Sequence, residues 1–192
     1  MGTLFLQEAE ATIILADIRD FSALAQSRGA TVELAITLSR FYEHVAAAIK
    51  QEGGRVIKLV GDGVLGAFIG TADHRRRGIR ALHALVGSVD AMNAPAKAAD
   101  MPVVDYTVVL GTGRVLAGDL GADKLQGFDV IGATVNRIFR LSNVATKRGA
   151  SNLVEASTFD QLSIEDRPPA RAVAAEVIDG ESITLFAVDV HA

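Results

Sequence analysis

The chain of 192 residues is 49% hydrophobic and 22% charged, with 19 basic against 23 acidic side chains and a net charge of −4. That length suits one domain with a sizeable core, and the apolar fraction excludes a disordered chain. The charge balance gives no basis for nucleic-acid or membrane-surface binding, and the absence of cysteine excludes disulfides, thiolate metal sites and a cysteine nucleophile.

Residues 11–18 (ATIILADI) form a β-branched apolar run that reads as a buried strand with Asp17 at its C-terminal end. A polar break with a helical turn over 20–26 follows. From Thr31 onward, Leu34, Leu38, Phe41, Val45 and Ile49 recur at spacings of three or four. This predicts an amphipathic helix capped by Thr31 and ended at Gly53-Gly54. Residues 55–60 and 64–68 are strand-like on either side of Gly61-Asp62-Gly63, a hairpin signal.

A second helix is expected over about 72–92, with Ile79, Leu82, Val86 and Val89 on one side and a loop from Pro95 onward. Residues 106–110 and 115–118 read as a strand pair turned at Gly111-Thr112-Gly113. A strand at 128–131, a helix from Gly132 to about Arg148, a strand at 152–155, a short helix at 157–162 and a strand pair near 172–177 and 182–188 complete the pattern. Frequent hairpins without strict βαβ alternation predict an α+β class, a largely antiparallel sheet with helices on one face. The reading is one domain over 9–188 between short tails, 1–8 and 189–192. With no targeting signal and no apolar run of bilayer length, a cytoplasmic domain without membrane insertion is expected. A regulatory domain or protein outside this chain is compatible with that reading.

Asp17 and Asp62 stand out because each ends an apolar run, where an ionised carboxylate is costly unless paired, hydrogen-bonded or metal-bound. Each also has a plain structural reading, Asp62 as a turn residue and Asp17 as a strand-end cap. If the two strands are neighbours, about 4.8 Å apart, the carboxylates converge and need a cation. Hard oxygen donors of this kind suit Mg²⁺ or Mn²⁺. Asn136 and Arg140, four apart, share a helix face, suited either to a polyanion or to plain solvation. Lys58 and Asp129 lie in apolar strand contexts, as a cross-strand salt bridge or as a ligand-reading pair.

Together the segments 16–22 (ADIRDFS), 58–63 (KLVGDG) and 128–140 (FDVIGATVNRIFR) resemble the catalytic domain of class III nucleotidyl cyclases, over about residues 9 to 188. The resemblance implies a ferredoxin-like, palm-type core working as a head-to-tail homodimer with two composite sites. It implies that Asp17 and Asp62, with the Ile18 backbone, hold two Mg²⁺ or Mn²⁺ ions. The opposite protomer would bring Lys58 and Asp129 to the base, with Asn136 and Arg140 at the sugar and α-phosphate. Lys124 matches a triphosphate-contacting basic position, whereas the lysine that many members carry near the C-terminus is missing from 177–188. Asp20 and Ala133 stand where many members have Gly and Asp.

Base choice follows from donors and acceptors. Adenine accepts at N1 and donates from N6, while lysine only donates and ionised aspartate only accepts. Lys58 and Asp129 therefore complement adenine, and the reading is an adenylate cyclase making 3′,5′-cyclic AMP and pyrophosphate from ATP. The alternatives are a guanylate cyclase and a non-catalytic nucleotide-binding dimerisation module. A diguanylate-type enzyme is disfavoured because Gly61-Asp62-Gly63-Val64 stands where its Gly-Gly-Asp/Glu-Glu-Phe hairpin would be.

Overall fold

In the computed structural model, which describes residues 6–28, 31–98, 103–121 and 127–191, the sheet is built around β1 (Leu6–Ile18). The C-terminal part of β1 is apolar on both faces, so both must be covered. Ile14, Ala16 and Ile18 enter one core, and Ala11, Ile13 and Leu15 the other. The chain then runs α1 (Phe21–Arg28), α2 (Val32–Gln51), β2 (Arg55–Val60), β3 (Gly63–Ile69), α3 (His74–Ala98) and β4 (Tyr106–Leu120). These strands lie in the order β2-β3-β1-β4, all antiparallel, with α2 and α3 packed on one face. That is the βαββαβ ferredoxin-like arrangement.

The second half adds β5 (Gly127–Ile131), α4 (Ala133–Arg148), β6 (Asn152–Glu155), α5 (Ala156–Phe159), a 3₁₀ turn at Ile164–Asp166, β7 (Ala170–Ile178) and β8 (Glu181–Val188). It extends the sheet as β4-β6-β8-β7, with β6 parallel to β4, while β5 pairs with the far half of β4. Thr31 caps α2 as its sequence predicts, its hydroxyl accepting the Leu34 N–H at 3.2 Å. Phe41, Val45 and Ile49 then enter the α2–α3 core, against Phe68, Leu82 and Leu85.

Four expectations change. Helices cover both faces rather than one, because α4 buries Val135, Ile138, Leu141 and Ala145 against the side of the sheet carrying Ile13, Leu15 and Val109. Gly111-Thr112-Gly113 is not a turn, since β4 runs unbroken for 15 residues. The glycines there make room for α4: a Cβ on Gly111 would lie 2.7 Å from Ile138 Cδ1, and one on Gly113 would press on Thr134. Helix α3 continues through Pro95 to Ala98. Its C-terminal part is tied down by Asn93, whose side-chain amide makes two 2.9 Å hydrogen bonds to the backbone of Val104. Strand β1 begins at Leu6, its charged start pairing Glu8 with Leu116 and Glu10 with Arg114 at the more exposed end of the sheet.

Candidate active site

Asp17 is the penultimate residue of β1, opposite Gly63 of β3, and Asp62 lies in the turn between β2 and β3. A side chain at position 63 would put its Cβ 2.8 Å from Asp17 Oδ1, so glycine is what lets that carboxylate lie across the hairpin end. The two acids line a cleft of about 120 Å³ with Leu15, Val60 and three residues of α4, Phe139, Ser142 and Asn143. Burial first, and the Asp62 charge second, push the Asp17 carboxyl up to about 6, against the opposing pull of a hydrogen bond from the Ile18 backbone. Among the described residues, neither carboxylate is in an ion pair. Tyr42 of α2 donates its hydroxyl to the Gly61 carbonyl, one residue before Asp62.

Four residues before Asp62, Lys58 Nζ donates to Asp129 Oδ2 at 2.6 Å, joining β2 to β5. The other Asp129 oxygen accepts the Val130 N–H at 2.8 Å, which fixes the carboxylate plane. This pair lines a separate cleft of about 270 Å³ with Ile57, Leu120 and Phe128.

Asn136 and Arg140 lie on the exposed face of α4, whereas the helix meets its own acid cleft through Phe139, Ser142 and Asn143. Arg140 instead forms an ion pair with Asp179, in the Asp179-Gly180 turn between β7 and β8. Both turn residues have positive φ, 53° and 84°, as a tight hairpin requires. Within one protomer, then, the structure unites Asp17 with Asp62 and Lys58 with Asp129, and holds Arg140 apart in a pair with Asp179.

The family model described as the adenylate and guanylate cyclase catalytic domain matches residues 6–167. The chain belongs to that family. Adenylate cyclase 1 of Rhizobium meliloti is 24% identical over 170 residues, covering 86% of this chain and 25% of that protein. This cyclase domain thus spans about a quarter to a third of the curated relatives it matches. Among solved structures, the adenylyl cyclase CyaB from P. aeruginosa superposes with a TM-score of 0.79 at 22% identity, over 97% of this chain and 96% of that one. The guanylyl cyclase Cya2 gives 0.78 at 22% identity, over 95% of this chain and 92% of that one. The fold is therefore shared by cyclases named for either base.

The donor set of the acid cleft, two carboxylates, suits a hard divalent ion. No third acid, His or Cys joins them among the described residues, which leaves coordination positions for water and substrate phosphates, as Mg²⁺ prefers. Asp20 has φ 51°, a left-handed backbone that glycine adopts most readily, which accounts for glycine in the segments it resembles. Lys124 lies outside the described residues. No helix among the described residues is long and apolar enough to cross a membrane.

Tyr42 and Asp179 escaped the sequence reading. Tyr42 bonds to a carbonyl 19 residues away, which no local pattern reveals. Asp179-Gly180 carried a turn signal, but its partner Arg140 is 39 residues away.

Proposed function

We propose that the cyclase domain is an adenylate cyclase that converts ATP to 3′,5′-cyclic AMP and pyrophosphate at composite sites of a head-to-tail homodimer. The observation that carries this reading is the convergence of Asp17 and Asp62 in one cleft with, among the described residues, no cationic side chain paired to them. Two Mg²⁺ or Mn²⁺ ions, when bound there, supply acidification of the ribose 3′-hydroxyl and neutralisation of phosphate charge. Asp17, Asp62 and the Ile18 backbone would hold them. The 3′-hydroxyl gives its proton to solvent water, its oxygen bonds to the α-phosphorus, and the bond from that phosphorus to the bridging oxygen breaks to release pyrophosphate.

Lys58 donates to adenine N1 and Asp129 accepts from N6, so the base takes the place of the ion pair those side chains make with each other. Asn136 orients the ribose, and Arg140 stabilises charge building on the α-phosphoryl group. A triphosphate-binding role for Lys124 is part of the same proposal. Two observations support assembly from two protomers. Asn136 and Arg140 are exposed and lie outside the acid cleft of their own chain. Leu59, Val60, Leu116 and Ile131 are also exposed, large apolar side chains that a second copy would cover.

The test incubates the purified chain with Mn²⁺ or Mg²⁺ and either ATP or GTP and identifies the products by mass. Cyclic AMP from ATP is expected; cyclic GMP from GTP alone favours the guanylate reading, and nucleotide binding without turnover favours a non-catalytic module. Asp17→Ala and Asn136→Ala chains are each expected to be inactive and to regain activity on mixing. Mixtures that stay inactive contradict shared sites.

A further inference from the structure

We propose that Arg137 and Glu155 form a buried positioning pair that sets where α4 lies on the sheet and so aims Asn136 and Arg140. This rests on the reading of those two residues given above. Arg137 Nε stands 2.7 Å from Glu155 Oε1, and a terminal nitrogen of the same guanidinium donates to Oε2 at 3.3 Å. That terminal nitrogen also donates to the Thr112 carbonyl at 3.4 Å. The side chains are 17% and 5% exposed, against 54% and 67% for Arg140 with Asp179 and 33% and 26% for Arg148 with Glu176, the other ion pairs of this helix among the described residues.

Stability alone is a weak reason for such a pair. Taking two charges out of water costs several kcal/mol each, and apolar residues of similar volume often serve folding equally well. An apolar contact tolerates sliding and rotation. A guanidinium that makes one hydrogen bond to a carboxylate, one to a backbone carbonyl and a close Nε–Oε1 ion-pair contact does not.

The receiving surface is shaped for this contact. Glu155 ends β6, and its carboxylate occupies the space that a side chain on Gly111 would need; a Cβ there would also lie 2.7 Å from Ile138 Cδ1. Thr112, whose carbonyl takes the third contact, is itself held on three sides. Its N–H donates to Ser157 Oγ at 3.0 Å, and its hydroxyl bonds those of Thr12 and Thr158, each at 2.8 Å. The anchor is therefore rigid. Arg137 follows Asn136 by one residue and precedes Arg140 by three, so one pin within a single helical turn fixes the height and rotation of both. Displacing reacting groups by about 1 Å can cost about 100-fold in rate.

The test compares the wild-type chain with Arg137→Met/Glu155→Leu and with Arg137→Lys, all as assembled dimers with Mn²⁺ and ATP. The apolar double variant is expected to melt at or above the wild-type temperature and to keep KM for ATP within about threefold, while kcat falls about 10- to 100-fold. Arg137→Lys keeps the charge without the fork and is expected to fall between the two; it decides the matter alone if the double variant does not fold. Unchanged kcat in the variants overturns the proposal, as does a kcat loss that only tracks a lowered melting temperature. A wild-type chain that turns over no nucleotide overturns the cyclase reading itself and this proposal with it, so the wild-type control tells the two failures apart.

Discussion

Strand β2 and its turn deliver two charged side chains only four residues apart into opposite electrostatic situations. Lys58 meets a carboxylate of opposite sign at 2.6 Å and is satisfied within the protomer. Asp62 faces Asp17, a like charge, in a partly buried cleft, and the strain appears as an Asp17 carboxyl raised to about 6. One region is complete without a ligand and must be opened to bind one. The other sets two like charges together with no counter-charge paired to them among the described residues, and by the proposal it gains by binding a cation. The contrast fits the proposal that one chain carries both halves of a site that only a second copy completes.

Removing the incomplete half is expected to have the largest effect. Asp62→Ala deletes half of the proposed ion-binding carboxylates, and a loss of several kcal/mol in transition-state stabilisation corresponds to a rate on the order of 10³-fold lower. The check is cyclic nucleotide formation at saturating ATP and Mn²⁺. Activity within tenfold of wild type would remove the acid pair from the mechanism.

The same strain predicts a pH effect without any turnover. The folded chain holds the Asp17 proton up to about pH 6, whereas the unfolded chain releases it near the ordinary carboxyl value of 3.8. Between those values the native state binds more protons, so stability falls as pH rises from about 4 to about 6. At about 1.36 kcal/mol per unit the shift sets an upper bound of roughly 3 kcal/mol, and solvent screening at this partly exposed carboxylate makes the loss smaller. Thermal melts of wild type against Asp17→Asn isolate this contribution. The wild-type chain is expected to lose stability relative to the variant across that window in metal-free buffer, and to lose less of it with Mn²⁺, which takes the place of the proton. Parallel metal-free curves would show that Asp17 is not strained.

The complete region is probed by reversal rather than removal. Lys58→Glu/Asp129→Lys keeps an ion pair between β2 and β5 while exchanging donor and acceptor. Each mismatched buried polar group costs about 1–3 kcal/mol, so the ratio of kcat/KM for ATP over GTP is expected to fall by about 10- to 100-fold. An unchanged ratio, measured on both nucleotides, would mean that these side chains do not read the base.

Much of this was legible in the sequence because the signals were local. Thr31 before a helical stripe, Asp-Gly between two apolar runs and the strand-ending Asp17 each announce their own structure, whereas the ferredoxin-like core came from the family resemblance of the segments that hold Asp17, Asp62 and Asn136. Misreadings arose where the cause lay elsewhere in the chain. Gly111 and Gly113 look like turn residues, yet they exist for the close approach of Ile138, Thr134 and the Glu155 carboxylate. Pro95 looks like a helix stop, but Asn93 binds the Val104 backbone and the helix persists past it. Placing helices on one face failed for the same reason: the stripe on α4 is plain, but which side of the sheet it covers depends on the route through β4 and β5. At the site, the paired acids were legible as strand ends, whereas the Arg140–Asp179 contact needed the folded β7–β8 hairpin.

Tyr42 offers the finest test of the incomplete region. Its hydroxyl donates to the Gly61 carbonyl, fixing the peptide that leads into Asp62. Burial, then the Asp62 and Asp17 charges, raise its pKa above the ordinary phenol value, so it stays a donor throughout the working range. Tyr42→Phe keeps the ring and deletes only that bond, a change of about 0.5–1.5 kcal/mol. The hairpin backbone is otherwise held by the β2–β3 ladder, so the melting temperature is expected to shift little. The cost should fall instead on the orientation of Asp62, seen as Mn²⁺ affinity weakened about 2- to 10-fold in direct titration, with the Lys58-dependent preference for ATP over GTP unchanged. Equal Mn²⁺ affinity would mean that the turn holds Asp62 without help. A loss of base preference would mean that the two regions of β2 are mechanically one.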